Sequence, residues 1–168
     1  MSAMLFELDP VPVREVISFT AYGRPRPAGS KKFVGFIDHG PKKGRPLLVD
    51  DSGHKGRMWR RTVQRAAREV YNGRPLEWPM RMRVDFYFRR PKLHYVGNNR
   101  GGRLKDSAPS EHVTKPDTTK LLRSIEDALT GIVYVDDSAI VSQLASKHYG
   151  PKFKVDVAIE LLERRTIV

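Results

Sequence analysis

Met80, Met82, Val84, Phe86 and Phe88 alternate with Arg81, Arg83, Asp85 and Tyr87. That period of two predicts a strand with one buried face, the clearest in the chain. A helical period takes over downstream, where Leu121, Leu122, Ile125, Ala128 and Leu129 recur on one side of an amphipathic helix. Pro116 disfavours helix at Lys115, Asp117 stands where an N-cap belongs, and Gly131 follows where a left-handed residue closes a helix. Lys120, Arg123, Glu126 and Asp127 fall on the other faces. An earlier helix is predicted from Lys55 to Tyr71, capped by Asp51 or Ser52, with Met58, Trp59, Val63, Ala66, Ala67 and Val70 as its apolar stripe. Its outer face carries Arg57, Arg60, Arg61, Arg65 and Arg68, which suit a DNA backbone and equally an ordinary solvated surface.

Shorter runs complete the pattern. Residues Val16 to Tyr22 predict a strand ended by Gly23, and Phe33 to Ile37 with Pro46 to Val49 predict a hairpin. Ile132 to Val135 is a short apolar run that delivers Asp136 and Asp137 to its end. Ile140 to His148 and Phe153 to Leu162 alternate as a closing pair of strands joined at Tyr149 to Lys152. Residues 1–14, with Pro10 and Pro12, are expected to form a loose terminus. The fold class expected is α+β: one domain over residues 1–168, a mixed sheet with two main helices packed on a face.

Two loops stand out by their cations. Gly23 to Lys32 holds Arg24, Arg26, Lys31 and Lys32 on a backbone stiffened by Pro25 and Pro27. Residues 89–114 lose all periodicity and carry Arg89, Arg90, Lys92, Arg100 and Arg103 toward Lys115. A connection that long inside a compact domain is usually functional or disordered. These cations are the candidate phosphate-binding residues, with solvated loops as the alternative. His94 and His112, in the same loop, have no carboxylate or second histidine at metal-ligand spacing.

Charge gives those loops a partner. Lys and Arg total 31 against 19 Asp and Glu, a formal net charge of +12, which favours nucleic acid over a neutral ligand. With 39% hydrophobic residues the chain is not a disordered tail, and with no cysteine it holds neither a disulfide framework nor a thiolate zinc site. No apolar run approaches membrane-spanning length and no signal-peptide pattern opens the chain, so a cytoplasmic protein without a membrane partner is expected. GPKKGRP lacks the spacing and flanking elements of a P-loop, and no small-molecule cofactor is expected.

Against this basic background the acidic residues are informative. Asp117, Asp136 and Asp137 all fall at element ends. Three carboxylates brought together repel one another unless a cation intervenes, which points to a divalent metal. Magnesium takes such oxygen ligands and serves phosphodiester hydrolysis, with manganese as a substitute. A helix cap at Asp117 and a plain turn at Asp136–Asp137 explain the same residues without chemistry.

The pattern Lys115-Pro116-Asp117, Leu121, Arg123, Asp127-Ala128-Leu129-Thr130, Asp136-Asp137-Ser138 and Ile140-Val141 resembles the RusA-type family of Holliday junction resolvases, in the form common in phages and prophages. The resemblance is specific over Lys115 to Val141. It implies a small α+β fold, a homodimer and magnesium-dependent paired nicking of four-way DNA junctions in the cytoplasm of a bacterium or an infected host. Asp117 matches the first catalytic aspartate of the family's helix motif and Asp137 the essential member of the aspartate pair. Arg123 matches a basic residue that assists at the phosphate. Asp117, Asp136 and Asp137 are then the expected metal ligands, and Asp117, Asp137, Arg123 and Lys120 the expected catalytic set. Thr119 departs from the family, which has a second aspartate there. That departure leaves open a non-catalytic binder of junctions or branched DNA on the same fold, and a nuclease for other branched DNA is the remaining reading.

Overall fold

A computed structural model describes residues 13–29, 31–50 and 52–163. Six strands and two α-helices follow in the order β1 (Val13–Tyr22), β2 (Lys31–Phe36), β3 (Pro46–Asp50), α1 (Gly53–Val70), β4 (Met80–Arg89), α2 (Thr118–Leu129), β5 (Ile140–Gly150) and β6 (Lys154–Leu162). Four strands form one mixed sheet in the order β1-β6-β4-β5, while β2 and β3 pair as a separate antiparallel hairpin. This is the α+β architecture read from the sequence. The loose terminus expected over residues 1–14 lies outside the described residues up to residue 12, and β1 already begins at Val13.

The alternation that predicted β4 is its burial pattern. Met80, Met82, Val84, Phe86 and Phe88 are all buried, and the residues between them face the other side of the sheet. Ile17, Phe19 and Ala21 of β1 and Val155, Val157, Ile159 and Leu161 of β6 continue the same apolar face. Both helices cover it. Trp59, Val63 and Ala67 come from α1, and Leu121, Ile125, Ala128 and Leu129 from α2. Each large aliphatic or aromatic side chain so buried contributes about 1.5–3 kcal/mol, which fixes α2 against the sheet more firmly than its short length would alone. Met58 and Val70, expected in the α1 stripe, are exposed because they sit at its margins. Ser52 occupies the N-cap of α1 but makes no side-chain capping bond, and Asp51 lies outside the described residues.

The closing strands are not a pair. β5 runs parallel to β4, and β6 runs antiparallel to β4 on its other side, so β4 separates them. The three residues of the link, 151–153, span about 10 Å when extended, the width of two strand spacings, and so can pass the end of β4. β5 lies close against β4 at its last residue, Gly150, where an added Cβ would meet the Tyr87 ring at 3.2 Å. Parallel strands need a crossover, and the segment from Arg90 to Ala139, with α2 inside it, supplies one. As a result α2 runs back along the sheet antiparallel to β5. Ile132 to Val135 is not a strand but a turn, in which Tyr134 bridges Leu76 and Thr130 while Val133 and Tyr134 are buried.

Candidate functional site

The two ends of α2 carry different chemistry. Asp117 is the N-cap, and its backbone carbonyl accepts the first helical bond from Leu121 at 3.1 Å. Its side chain caps no backbone N–H and is exposed, so the carboxylate remains available although the residue starts the helix. The loop after β1 docks here through Ala28 N–H donating to Lys120 carbonyl at 2.8 Å. The result is a cleft of about 340 Å³ in which Asp117 meets Arg24, Arg26, Lys115 and Lys120. Four cations from two separate segments therefore line the same cleft as one carboxylate. Lys120 and Arg123 both lie exposed along α2, and Thr119 is exposed on its first turn.

The far end is acidic. Val133 N–H donates to Leu129 carbonyl at 3.0 Å and the Tyr134 hydroxyl donates to Glu126 carbonyl at 3.3 Å, folding the chain back under the helix terminus. Burial raises the Tyr134 pKa, and Glu126, Asp137 and Asp127 raise it further. Those three carboxylates therefore share the neighbourhood of one phenol. Asp136 and Asp137 differ in employment. The Asp136 carboxylate accepts the Ser138 backbone N–H at 2.9 Å, and hydrogen bonding from Ser138, hydroxyl first and amide next, holds its pKa below the ordinary range. Asp137 opens the short 3-10 turn Asp137–Ala139 that leads into β5. The Glu126 side chain accepts from Gln143 of β5, tying this end of α2 to the beginning of that strand.

Asp117 does not converge with Asp136 and Asp137 within one chain. Helix α2, 12 residues long, stands between them and spans about 18 Å. Among the described residues no three His, Asp or Glu side chains gather closely enough to hold a metal ion. Magnesium suits the oxygen donors present, but the described residues of a single chain do not bring enough of them together in one place.

The basic candidates divide as well. Arg24 and Arg26 line the Asp117 cleft, and Arg24 also sits over the Phe153 ring at 5.5 Å. Arg89 lines an adjoining hollow with Arg24 and Lys152. Lys31 and Lys32 begin β2, and Lys32 is exposed and does not line the cleft. In the 89–114 loop, Lys92, Arg100 and Arg103 are exposed, with Arg103 at 3.9 Å from Asp106 and the Arg100 Nε donating to Arg90 carbonyl at 3.3 Å. Arg90 is used internally: its guanidinium lies 4.1 Å over the Tyr149 ring and donates to the carbonyls of Pro109 and Ser110. The loop is thereby packed rather than loose. His112 is buried and stacked on Phe88 at 4.2 Å, its pKa lowered by burial and then by Lys147, so it serves packing.

One polar constellation escaped the sequence reading. On the sheet face away from the helices, Asp85 and Asp156 are direct cross-strand neighbours. Asp85 accepts from His148 at 2.8 Å and from Arg83 at 2.9 Å, while Asp156 accepts from Thr20 at 2.7 Å and Lys154 at 2.6 Å. Burial pushes the Asp85 carboxyl up, but the hydrogen bonds and charges of His148 and Arg83 outweigh it and leave its pKa below the ordinary range. An aspartate in mid-strand was the available signal. Each carboxylate has its own cation, so opposed like charges are neutralised and the cluster is structural.

Comparison with known proteins matches residues 40–160 to the family described as endodeoxyribonuclease RusA. A Bacillus subtilis (strain 168) protein, "Uncharacterized protein YqaN", is 28% identical over 150 residues, covering 86% of this chain and 96% of the relative. No helix among the described residues is long and apolar enough to cross a membrane.

Proposed function

The chain belongs to the RusA endodeoxyribonuclease family, and from that membership we propose that it is a magnesium-dependent, structure-selective endonuclease that resolves four-way DNA junctions by paired phosphodiester hydrolysis. The family makes it a hydrolase of DNA, one of the divalent-metal-dependent nucleases that act on branched substrates. The observation that carries the finer reading is the uncommitted Asp117 carboxylate inside a cleft of four cations, where phosphate and metal have reason to meet. Asp117 and Asp137 are the principal metal ligands, and Asp136, already bonded to Ser138, is the lesser one. A divalent ion held by these residues would supply activation of water for attack on the phosphodiester and stabilisation of the departing oxygen. Lys120 and Arg123 neutralise charge that develops on the phosphate. Arg24, Arg26 and Lys115 hold the strand at the cleft, and Arg89, Lys92, Arg100 and Arg103 hold the junction arms, chiefly through phosphates.

Because α2 separates Asp117 from Asp137, the working site is built from two chains: Asp117 of one and Asp137 of its partner. A symmetric homodimer then holds two such sites, as paired cleavage of a four-way junction requires. Complementation between dead variants tests this. Asp117→Asn and Asp137→Asn are each expected to bind a synthetic junction without cutting it. After the two are mixed and subunits exchanged, heterodimers hold one intact pair of aspartates, and magnesium-dependent nicking of one strand returns. A mixture as dead as its components would remove the shared site.

Thr119 favours a second reading, a junction-binding protein without catalysis, since it stands where the family's second helix aspartate is expected. A cleavage assay on a four-way junction, a flap and a linear duplex, with magnesium, with manganese and with neither, separates the readings. The enzyme yields metal-dependent products on the junction. A binder yields only a shifted band, and a general branched-DNA nuclease cuts the flap equally well.

A further inference from the structure

We propose that the β2–β3 hairpin is an arm that sets an aromatic pair, Phe33 and Phe36, against unstacked bases at the branch point of a DNA junction. This rests on the junction reading of the site and adds a second way of telling a branch from a plain duplex. Among the described residues the hairpin strands pair only with each other, apart from the four-stranded sheet, and none of the hairpin's described side chains joins the hydrophobic core. β2 also precedes residue 40, where the match to the family begins, so the arm is read from this chain alone.

The backbone brings the two rings together. Residues three apart on a regular strand point to opposite faces. Here the register with β3 shifts between Phe33 and Gly35, and Gly35 takes a φ of 142°, so a bulge re-aims the strand and sets Phe33 and Phe36 on one side. Their ring centroids lie 5.2 Å apart, edge to face at 74°. An added Cβ at Gly35 would meet nothing within 4 Å, so the glycine serves the bend and not a tight contact. The paired rings are nonetheless 52% and 65% exposed, and Val34 and Leu47 of the same hairpin are exposed too. A contiguous apolar surface held in solvent by a dedicated bulge marks a contact site.

Charge and position name the occupant. Lys32, Lys42, Lys43 and Arg45 are exposed on the hairpin, and Asp38, the one carboxylate among its described side chains, lies against His39. Cations beside aromatic rings suit nucleic acid, whose phosphates pair with the charges while each base offers a π-face to a ring. The feet of the arm stand beside the proposed site. Gly29 before β2 and Ser52 after β3 line a hollow of about 350 Å³ with Lys120 and Arg26, both of which also line the Asp117 cleft. Phe33 and Phe36 follow Lys31 by two and five residues, about 7 and 17 Å along a strand, and a base pair takes about 3.4 Å of duplex. The rings therefore reach no more than about five base pairs from the foot of the arm. At a branch point base pairs have lost a stacking neighbour, so apolar side chains enter there at less cost than between stacked steps.

The test uses the full-length protein without metal and a synthetic four-way junction carrying 2-aminopurine at the branch point, with a linear duplex of the same label as control. Wild-type protein is expected to raise the fluorescence on binding the junction and not on binding the duplex. Phe33→Ala with Phe36→Ala, both at exposed positions and with unchanged circular dichroism, loses the rise and binds the junction about tenfold more weakly, the order expected for a lost base stack, while duplex binding changes by less than about twofold. Phe36→Tyr alone keeps the rise, since a ring remains. Lys42→Ser with Lys43→Ser flattens the salt slope by up to about 1.8 but keeps the rise at saturation. An undiminished rise in the double alanine variant, or equal losses on junction and duplex, overturns the wedge. So does a double alanine defect confined to anionic vesicles or to self-association by light scattering, which would assign the rings to a membrane surface or a second copy. If wild-type protein cuts the junction with magnesium but gives no rise without it, the wedge falls and the nuclease reading stands. If it neither prefers nor cuts the junction, both fall.

Discussion

The N-terminal end of α2 is a carboxylate among cations, and the C-terminal end is a group of carboxylates with no cation in contact among the described residues. Backbone dipoles place partial positive charge at a helix N-terminus and partial negative charge at its C-terminus. Asp117 is therefore favoured by its helix, while Glu126, Asp127 and Asp137 add negative charge where the helix already supplies some. The raised pKa of Tyr134 is a local record of burial and of that field. A nearby cation would relieve that repulsion. In the proposed site the two ends contribute differently: the basic end brings Asp117 together with phosphate-binding cations, and the acidic end brings Asp137 as the second metal ligand.

The largest expected effect comes from deleting one charge at either end. Asp117→Asn and Asp137→Asn should each lower junction cleavage at least about a hundredfold, beyond the 10–100-fold cost of losing a group that only supports a metal ligand. Binding, measured by gel shift without metal, should hold or tighten, since one negative charge facing phosphates is gone. Asp136→Asn should cost less, because the Ser138 amide already occupies that carboxylate and an asparagine oxygen still accepts from it. Equal loss at residues 136 and 137 would erase the distinction between them.

A smaller effect separates capture at the cleft from capture by the long loop. Each phosphate contact contributes about −0.9 to the slope of log K against log salt on duplex DNA. Arg24→Ser with Arg26→Ser should flatten the slope by about 1.8 if both touch phosphate. Lys92→Ser, Arg100→Ser and Arg103→Ser together measure the loop in the same way. Arg90 belongs in neither set, since its replacement removes the contacts with Tyr149, Pro109 and Ser110 and loosens the loop itself. Unchanged slopes in the Arg24/Arg26 variant would strip the cleft of its phosphate role.

How much of this was legible beforehand depended on how local each feature is. The apolar spacing of α2 and the alternation of β4 are written within their own segments, and both elements stand where the spacing put them. Strand pairing is not local. Nothing in Ile140 to Leu162 says that β4 will insert between two strands joined by a short link, because that choice depends on which strand offers the most apolar face to both helices. Arg89 and Arg90 are indistinguishable as letters and differ only once Tyr149 folds beneath one of them. Met58 and Val70 fit a helical stripe and were exposed because α1 covers a narrower strip of the sheet than the spacing allowed. The separation of Asp117 from Asp137 was countable all along: residues on either side of a 12-residue helix cannot meet unless the chain doubles back fully along it or a second chain intervenes.

The smallest expected effect concerns Thr119, on the exposed first turn of α2 beside Asp117. Its hydroxyl is neutral and a weaker magnesium ligand than a carboxylate. Thr119→Asp adds a negative charge at the favourable end of the helix dipole, which should raise stability by about 0.3–1 kcal/mol at low salt, read from urea midpoints. It also adds an oxygen donor beside Asp117, so the magnesium concentration for half-maximal cleavage should fall severalfold, while maximal cleavage changes less. The two readouts separate the local electrostatics from the site. A gain in stability without any change in the magnesium titration would leave residue 119 on the helix dipole but outside the metal's reach, and would shift the remaining ligand burden to the acidic end, onto Glu126 and Asp127. A fall in the magnesium requirement that persists at protein concentrations where light scattering finds only monomer would mean that the basic end assembles its own metal site, and the contrast between the two ends of α2 would have to be redrawn.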